Sequence, residues 1–290
     1  MKVLVTGATG NVGSLLVPEL IKRGADVRTF TRKQPNQDAY PENVETAIGD
    51  LLDAESVARA MEGIDKLFLL AAVSPSELME AMIGFAMARR AGVKHVTYLS
   101  AFKVDVMRDA PHMAAKFTVE NSIRYSGIPF TILRPNGFMQ AEAQGIKPAV
   151  MGMGLYPAPL GEDGISLVDA RDIAEAAAIS LTEEGHEGQT YDLVGPTVVS
   201  GASNAALWSK LLGKPVQYTG HDMDRWEAMA RGHMPSWLVY DLRAMYEGFH
   251  SEGFAATAFQ IARLTKLLRH APRSYEAFAT QAASEWKRSA

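Results

Sequence analysis

Three glycines at a fixed spacing follow the first apolar run of this 290-residue chain. The run Lys2 to Thr6 leads into Gly7, Gly10 and Gly13, and a helical pattern from Val12 to Arg23 follows at once. In this setting the first glycine turns the chain sharply, the second leaves room for a phosphate, and the third lets the helix lie close to the strand. Because the positive end of a helix attracts anions, the segment predicts a dinucleotide-binding turn. The backbone N–H groups expected to face the anion belong to Thr9, Asn11 and Val12.

Short apolar runs alternate with longer helical patterns over the first half of the chain. The runs are Lys2 to Thr6, Asp26 to Thr31, Val44 to Ile48, Lys66 to Ala71, His95 to Ser100 and Phe130 to Arg134. We expect a helix in each of the five intervals, which is typical of buried parallel strands joined by crossovers. The sequence therefore predicts an α/β fold with a doubly wound parallel sheet of the Rossmann type, whose ligands bind at the carboxyl edge.

The pattern changes at about residue 150. The Gly- and Pro-rich stretch from Met151 to Gly161 is expected to be irregular, and the chain is mostly helical from Pro196 onward. Between them, sheet material returns at about residues 165–195, with an apolar run at Ile165 to Val168, a helix at Ala170 to Leu181 and a strand at Gln189 to Val194. We expect a dinucleotide-binding domain over residues 1–150 and a smaller, mostly helical C-terminal domain on the substrate side over residues 151–290.

Composition excludes several classes of function. The absence of cysteine excludes disulfides, Cys-ligated zinc and thiol nucleophiles, and the net charge of −4 gives no general reason to bind polyanions. Basic residues outnumber acidic ones over residues 261–290, which we interpret as the solvated face of a terminal helix. No run reaches the roughly 18 apolar residues of a membrane span. We expect a cytoplasmic protein without a metal site, a nucleic-acid partner or a membrane contact.

The end of the second strand indicates which dinucleotide is preferred. Arg32 and Lys33 stand where a cofactor without the extra phosphate requires an acidic residue beside its ribose. Two cations suit a 2′-phosphate, so we expect NADP(H) rather than NAD(H), although two surface cations after a strand would give the same pattern. After the third strand, Asp50 has two compatible roles: it accepts from the adenine amino group, or it caps the helix that begins near Ala54.

Further segments carry a family resemblance. They are the glycine turn, Gly49-Asp50-Leu51, the strand ending Leu99-Ser100, Lys116 and the stretch from Ser126 to Phe138. Together they resemble the NmrA-like group of atypical short-chain dehydrogenases/reductases. The similarity extends through Leu181 to His186, Gln189 to Leu193 and Pro272 to Phe278, so it covers nearly the whole chain.

The resemblance implies NADP(H) bound along the carboxyl edge of the sheet. It places Ala71, Ala72 and Val73 beneath the cofactor, and Pro135, Asn136 and Phe138 beside the nicotinamide. Leu51 joins Asp50 on the adenosine side. The activities that it implies are NADPH-dependent reduction of quinones, azo dyes and triphenylmethane dyes.

Reductases of the wider superfamily use Ser, Tyr and Lys, with Tyr four residues before Lys. Ser100 and Lys116 match this pattern, but His112 stands in the place of the tyrosine. His112 either donates a proton to a substrate oxygen or only shapes the pocket and hydrogen-bonds the cofactor. Lys116 is expected to reach the nicotinamide ribose hydroxyls, with Glu120 one turn on as its possible partner. Ser100 either orients a substrate oxygen or simply ends its strand.

Apolar residues could form a pocket for a flat conjugated substrate, or could be ordinary core. They are Phe102, Met107, Met113, Phe138, Met139, Met151, Met153 and Tyr156. We therefore expect an NADPH-dependent reductase that passes hydride to a small conjugated acceptor such as a quinone, an azo compound or a carbonyl. The rival is a catalytically silent NADP(H) sensor that acts through a regulatory protein partner. A homodimer is compatible with either hypothesis.

Overall fold

A computed structural model describes residues 1–36, 40–41 and 43–288. Its residues group into two compact units. The first unit comprises Met1–Asp105, His112–Pro135 and Ala170–Asp192, and the second comprises Val106–Pro111, Asn136–Asp169 and Leu193–Ala290. The described residues contain no helix that is both long enough and apolar enough to cross a bilayer.

Strands and helices alternate in the first unit, and helices dominate the second. The strands are β1 (Lys2–Thr6), β2 (Asp26–Thr31), β3 (Glu45–Ile48), β4 (Lys66–Leu69), β5 (His95–Leu99), β6 (Phe130–Pro135), β7 (Leu155–Tyr156), β8 (Gln189–Leu193) and β9 (Gln217–Tyr218). The helices are α1 (Gly13–Lys22), α2 (Ala54–Met61), α3 (Glu77–Arg90), α4 (Pro111–Arg124), α5 (Met139–Met153), α6 (Ala170–Thr182), α7 (Gly201–Leu212), α8 (Met223–Ala230), α9 (Ser236–Glu252), α10 (Ala258–Leu268) and α11 (Tyr275–Arg288).

A seven-stranded sheet organises the first unit, in the order β3-β2-β1-β4-β5-β6-β8. The strands β1 to β6 pair in parallel, with Val3 opposite Val27 on one side and Lys66 on the other. The order reverses between β1 and β4, so the glycine turn after β1 lies at the switch point where ligands of such sheets bind. The predicted fold class is confirmed.

Helices cover both faces of this sheet. Side chains of α2, α3 and α4 share one buried cluster with Leu4, Leu67 and Tyr98, and α1 and α6 pack together outside that cluster. Strand β5 is buried along its whole length. Burial on two faces explains why the strands are apolar throughout instead of alternating with polar residues.

Three predictions about secondary structure are wrong. The stretch from Met151 to Gly161, expected to be irregular, contains the end of α5 and the strand β7. The described residues between β2 and β3 form no helix, where we expected a crossover helix. Pro35 and Pro41 fall in this short stretch, and proline disfavours helix at the residue before it. Ile165 to Val168 forms no strand but makes isolated bridges, in which Ile165 pairs with Val199 and Phe254.

Apolar packing and one small sheet organise the second unit. Strands β7 and β9 pair in parallel, and α7 packs against α11. Trp208 of α7 is fully buried and stacks on Trp286 of α11 with ring centroids 4.2 Å apart. Residues 136–150, which we grouped with the sheet, belong to this second unit, since the first unit includes the chain only up to Pro135 at this point. The domain division at residue 150 stays a prediction.

Candidate active site

The glycine turn joins β1 to α1 through close backbone contacts. Gly7 has a φ of 65°, and its carbonyl accepts a hydrogen bond from the N–H of Gly10 at 3.0 Å. A Cβ on Gly13 would lie 2.2 Å from the Gly7 oxygen, so only glycine lets the helix begin there. Helix α1 has no side-chain cap and no acidic residue in its first turn. Its N-terminus therefore presents a positive potential that an anion can meet.

A cavity of about 750 Å³ opens beside this turn. Thr9 and Ser14 line it from the glycine turn and α1, and Arg32 and Lys33 line it from the end of β2. The remaining lining residues are Thr31, Gln34, Pro35, Asn36 and Tyr40. Both cations are exposed, so a ligand's phosphate can reach them without burying an unpaired charge. The structure thus brings the two predicted cations together with the predicted helix N-terminus.

Tyr40 is a member of this cavity that the sequence did not reveal. Its hydroxyl donates a hydrogen bond to the Ala8 carbonyl oxygen at 2.8 Å, which ties the loop after β2 to the glycine turn. Burial raises the pKa of the Tyr40 phenol, so it stays protonated as a donor. No sequence pattern distinguishes a single tyrosine in the loop after β2 as a residue of the cavity.

The end of β3 corrects one of the two roles considered for Asp50. Helix α2 begins at Ala54, and its cap is Asp53, whose carboxylate accepts from the Glu55 N–H at 3.1 Å. Asp50 is exposed and accepts from the Leu52 N–H at 2.9 Å instead. Asp50 as the helix cap is therefore wrong, because Asp53 is one residue from the helix and Asp50 is not. Contact of Asp50 and the half-buried Leu51 with adenosine stays a prediction.

The residues after β4 continue the same edge of the sheet. The Thr6 hydroxyl at the end of β1 accepts from the Leu70 N–H at 2.8 Å, which fixes the two strand ends side by side. Ala71 is buried, whereas Ala72 and Val73 are exposed. Contact of Ala71, Ala72 and Val73 with a cofactor stays a prediction.

Lys116 and Ser100 are both buried. Ser100 follows β5 directly, and its N–H donates to the Leu133 carbonyl at 2.8 Å, while its hydroxyl has no hydrogen-bond partner among the described residues. On α4, the Lys116 ammonium lies 2.7 Å from Oε1 of Glu77, the first residue of α3. A free hydroxyl and a held ammonium are groups that can hydrogen-bond ligand hydroxyls.

Glu120 is not the partner of Lys116. Its carboxylate accepts from Arg134 at 2.7 and 2.9 Å and from Arg124 at 3.2 Å. Two arginine side chains satisfy this buried acid. Burial acts to lower the pKa of Arg134, but the hydrogen bond and the charge of Glu120 act to raise it, and the pKa is raised overall. Sequence spacing on one helix favoured the wrong acid, since the partner of Lys116 comes from another helix.

His112 lies one turn before Lys116 on α4. The helix begins at Pro111, a residue suited to the first helical position because it needs no N–H donor there. Side chains four residues apart share a helix face, so His112 and Lys116 lie on the same face of α4. His112 is half-buried. Which of its two considered roles it has stays a prediction.

Pro135, Asn136 and Phe138 end β6 and begin the second unit. Pro135 is the last residue of β6 and is buried. The Asn136 amide donates to the Phe254 carbonyl at 2.9 Å, and its oxygen accepts from the Gly137 N–H at 2.8 Å. Phe138 precedes α5 and forms a bridge with Val168. The Asn136 side chain thus shapes the backbone here, and contact of these three residues with nicotinamide stays a prediction.

Tyr156 belongs to the core of the second unit and not to an open pocket. It is fully buried, donates to the Glu142 carboxylate and accepts from the Asn204 amide at 2.9 Å. The Tyr275 hydroxyl donates to both Glu142 oxygens at 2.9 Å and accepts from the Trp208 indole N–H at 3.0 Å. Burial raises the pKa of Glu142 to about 7, although these hydrogen bonds act to lower it.

The sequence of this chain is similar to those of known proteins. The profile of the NmrA-like family matches residues 1–279. The NAD(P)H azoreductase of Xenophilus azovorans is 32% identical over 248 residues, which are 84% of this chain and 86% of that protein. A (4-alkanoyl-5-oxo-2,5-dihydrofuran-3-yl)methyl phosphate reductase of Streptomyces griseus is 33% identical over 233 residues, 79% of this chain and 81% of that protein.

A solved structure adds a comparison of folds. The NADPH-dependent quinone oxidoreductase of Escherichia coli, in complex with NADPH, has a TM-score of 0.86 at 24% identity and matches 96% of this chain and 99% of that one. The agreement extends over nearly all of both chains, as the sequence profile does. The chain therefore belongs to the NmrA-like family.

Proposed function

We propose that this protein is an NADPH-dependent reductase of small conjugated acceptors. The observation that carries the proposal is the cavity at the switch point of the sheet, where an uncapped helix N-terminus and two exposed cations surround about 750 Å³ of space. Arg32 and Lys33 supply positive charge where a 2′-phosphate would be distinguished from a free hydroxyl. The preferred cofactor is therefore NADP(H).

The residues present fit a dinucleotide. A Cβ on Gly10 would meet nothing nearer than the Gly7 oxygen at 3.3 Å, so the space above this glycine is open to a diphosphate. Farther along the edge, the Ser100 hydroxyl is buried without a partner. Buried polar groups are nearly always hydrogen-bonded in native proteins, so a free one indicates a place for a ligand.

The chemistry divides between the cofactor and the chain. The bound dinucleotide supplies hydride from its nicotinamide. Lys116 holds the ribose hydroxyls beside that ring, Ser100 orients an oxygen of the acceptor, and His112 donates the proton or shapes the pocket. We propose that Ala71, Ala72 and Val73 contact the cofactor from beneath.

The relatives support this class of activity. Their names describe an NAD(P)H azoreductase, a reductase of a dihydrofuranone phosphate ester and an NADPH-dependent quinone oxidoreductase. These agree with the sequence-based expectation of a reductase that uses a nicotinamide cofactor. A small-molecule acceptor follows from the same class. Homodimer formation, a regulatory protein partner and a cytoplasmic location stay predictions.

Turnover tests the proposal. We expect oxidation of NADPH, followed by nicotinamide absorbance, to exceed background with at least one quinone or azo dye. Lys116→Ala should lower kcat/KM by roughly 10- to 100-fold, since it removes a group that positions the ring. Lys94→Ala is the control, because Lys94 is an exposed lysine paired with Asp65 on the surface.

The rival function gives a different result. A silent NADP(H) sensor, which the histidine in the tyrosine place permits, would bind NADPH tightly and oxidise it with no acceptor of the panel. That outcome would contradict the reductase and favour the sensor. A protein that binds no dinucleotide would contradict both.

A further inference from the structure

Lys116 and Glu77 form an ion pair that is almost completely removed from water. Glu77 is 3% exposed and Lys116 is 8% exposed, and the Nζ–Oε1 distance is 2.7 Å. Burying either charge alone would be costly, so each keeps the other in place. The pair joins the start of α3 to the middle of α4, two helices on the same face of the sheet.

Among the described residues, the Glu77 carboxylate has no polar partner other than Lys116. Neither of its oxygens, Oε1 or Oε2, accepts a hydrogen bond there, and the contact of Oε1 with the Lys116 ammonium is an ion pair. Glu77 is held at the first position of α3, where its N–H donates to the Ser74 carbonyl at 3.2 Å and the helix dipole favours a negative charge. By contrast, Glu120 is fully engaged by arginines.

The ammonium retains hydrogen-bonding capacity. A lysine ammonium has three N–H donors, and its 2.7 Å contact with the Glu77 oxygen is an ion pair without the alignment of a hydrogen bond. The N–H donors of Lys116 therefore remain available to a ligand. Because a flexible lysine has four rotatable side-chain bonds, a fixed and buried partner reduces the entropy that is lost when it binds a ligand.

We infer that Glu77 is a positioning residue of the reductase: its buried carboxylate fixes the Lys116 ammonium where Lys116 binds the ribose hydroxyls next to the nicotinamide. This inference rests on the proposed function, and it assigns to Glu77 no contact with the reacting atoms. It predicts that losing the carboxylate harms the nicotinamide half of the cofactor and spares the adenosine half.

Binding of two ligands separates this role from a merely structural one. We would measure the Kd of NADPH and of 2′,5′-ADP, which lacks the nicotinamide half, for the wild type and for Glu77→Gln. We expect Glu77→Gln to weaken NADPH roughly tenfold and 2′,5′-ADP by less than about twofold. Equal weakening of both ligands, or no change in either, would overturn the inference.

Glu80→Gln is the matched control. Glu80 lies on the same helix, one turn from Glu77, and its carboxylate accepts from the Ser74 and Ser76 hydroxyls rather than from a lysine. We expect its affinities for both ligands to equal those of the wild type within about twofold. If Glu80→Gln weakened NADPH as much as Glu77→Gln, a general effect of α3 would replace the inference.

A double variant tests whether Glu77 acts through Lys116. Glu77→Gln combined with Lys116→Met removes both charges, and we expect it to bind NADPH no more weakly than Lys116→Met alone. Additive losses would overturn the inference. If Glu77→Gln fails to fold, Glu77→Asp keeps the charge but shortens the side chain, and it should weaken NADPH while leaving 2′,5′-ADP unchanged.

The two proposals fail separately. A wild type that binds NADPH without turnover would contradict the proposed reductase activity. The affinities of the wild type and the Glu77 variants for NADPH and 2′,5′-ADP would still test whether Glu77 positions Lys116 at the ribose. If the wild type turns over acceptors and Glu77→Gln has the same kcat, KM and Kd as the wild type, the inference about Glu77 is contradicted and the reductase proposal is not. A wild type that binds neither ligand would contradict both.

Discussion

We expect Arg32 and Lys33 to determine which dinucleotide the cavity accepts. Both are exposed at the end of β2, and the Thr31 hydroxyl donates to the Lys33 carbonyl at 2.9 Å, so the backbone that carries them is fixed. A guanidinium can bind a phosphate through two parallel hydrogen bonds, and an ammonium adds a point charge. We therefore expect selectivity for the phosphorylated cofactor to depend on these two side chains.

Replacing one cation should reduce that selectivity. We expect Arg32→Ala to raise the KM for NADPH roughly 10- to 100-fold and to change the KM for NADH little, because only NADPH carries the 2′-phosphate. Steady-state kinetics with both cofactors would measure the ratio. Arg90→Ala, an exposed cation at the end of α3, is the control. An equal loss for both cofactors would contradict this role of Arg32.

Glu142 makes the stability of the protein depend on pH. Burial raises its pKa to about 7, above the ordinary value of 4.5. Between these two values the folded protein holds a proton that the unfolded chain has released, so this contribution is complete below about pH 4.5 and is lost as pH rises through about 7. The difference corresponds to roughly 3 kcal/mol.

A single substitution isolates this contribution. Relative to the wild type, we expect Glu142→Gln to gain most of roughly 3 kcal/mol of unfolding free energy as pH rises from 5 to 8. Denaturant unfolding at both pH values would measure it, with Glu285→Gln, an exposed acid of α11, as the control. Parallel pH profiles of Glu142→Gln and the wild type would contradict the prediction.

His95 acts in the opposite direction and must be kept constant in that comparison. Burial, with a smaller effect of the nearby Lys66 charge, lowers its pKa to about 4 from 6.5. The unfolded chain therefore binds the extra proton between those values, and stability rises with pH across that window. Because His95 is present in both the wild type and Glu142→Gln, its effect cancels in their difference.

At the scale of an element, the glycine turn has two functions that belong to different residues. Gly13 lets α1 approach the strand, since its Cβ would lie 2.6 Å from the Ala8 Cα and even nearer the Gly7 oxygen. Gly10 is exposed and its φ lies outside the left-handed region. A Cβ there would meet only the Gly7 oxygen, at 3.3 Å, so an alanine requires a small shift of the backbone and not a rearrangement. Packing requires a glycine at position 13, and we expect the ligand to require one at position 10.

Two alanine substitutions should therefore differ. Gly13→Ala is expected to lower the unfolding free energy by roughly 1–3 kcal/mol, because backbone atoms cannot move away. Gly10→Ala should change it by less than about 1 kcal/mol but weaken NADPH roughly tenfold or more. Denaturant unfolding and a binding titration measure the two effects. A Gly10→Ala protein that binds NADPH like the wild type would show that no phosphate lies over this residue.

The elements were predictable where burial imposes a local pattern. The strand β1, the turn with its three glycines and the helix α1 follow one another in sequence, so spacing alone predicts their geometry. The segment after β2 differs from the predicted helix, because regular alternation of strands and helices does not account for the prolines in this segment. Ile165 to Val168 is apolar because it is buried, which a strand and a bridged irregular segment satisfy equally.

Contacts between distant parts of the chain were not predictable. Glu142 and Tyr275 are 133 positions apart, and no periodicity links them. Likewise, Glu77 resembles any acidic residue of a first helical turn, and only the fold reveals that its side chain meets Lys116. For the whole molecule, the sequence predicted the family and the fold, and the structure added the partners of the charged residues.

We expect the N-terminus of α1, together with Arg32 and Lys33, to bind a phosphorylated nicotinamide dinucleotide. Calorimetric titration of the pure protein with NADPH and with NADH would measure this binding. We expect saturable heat with NADPH and an affinity roughly tenfold or more above that for NADH. No heat from either dinucleotide, or equal affinity for both, would contradict it.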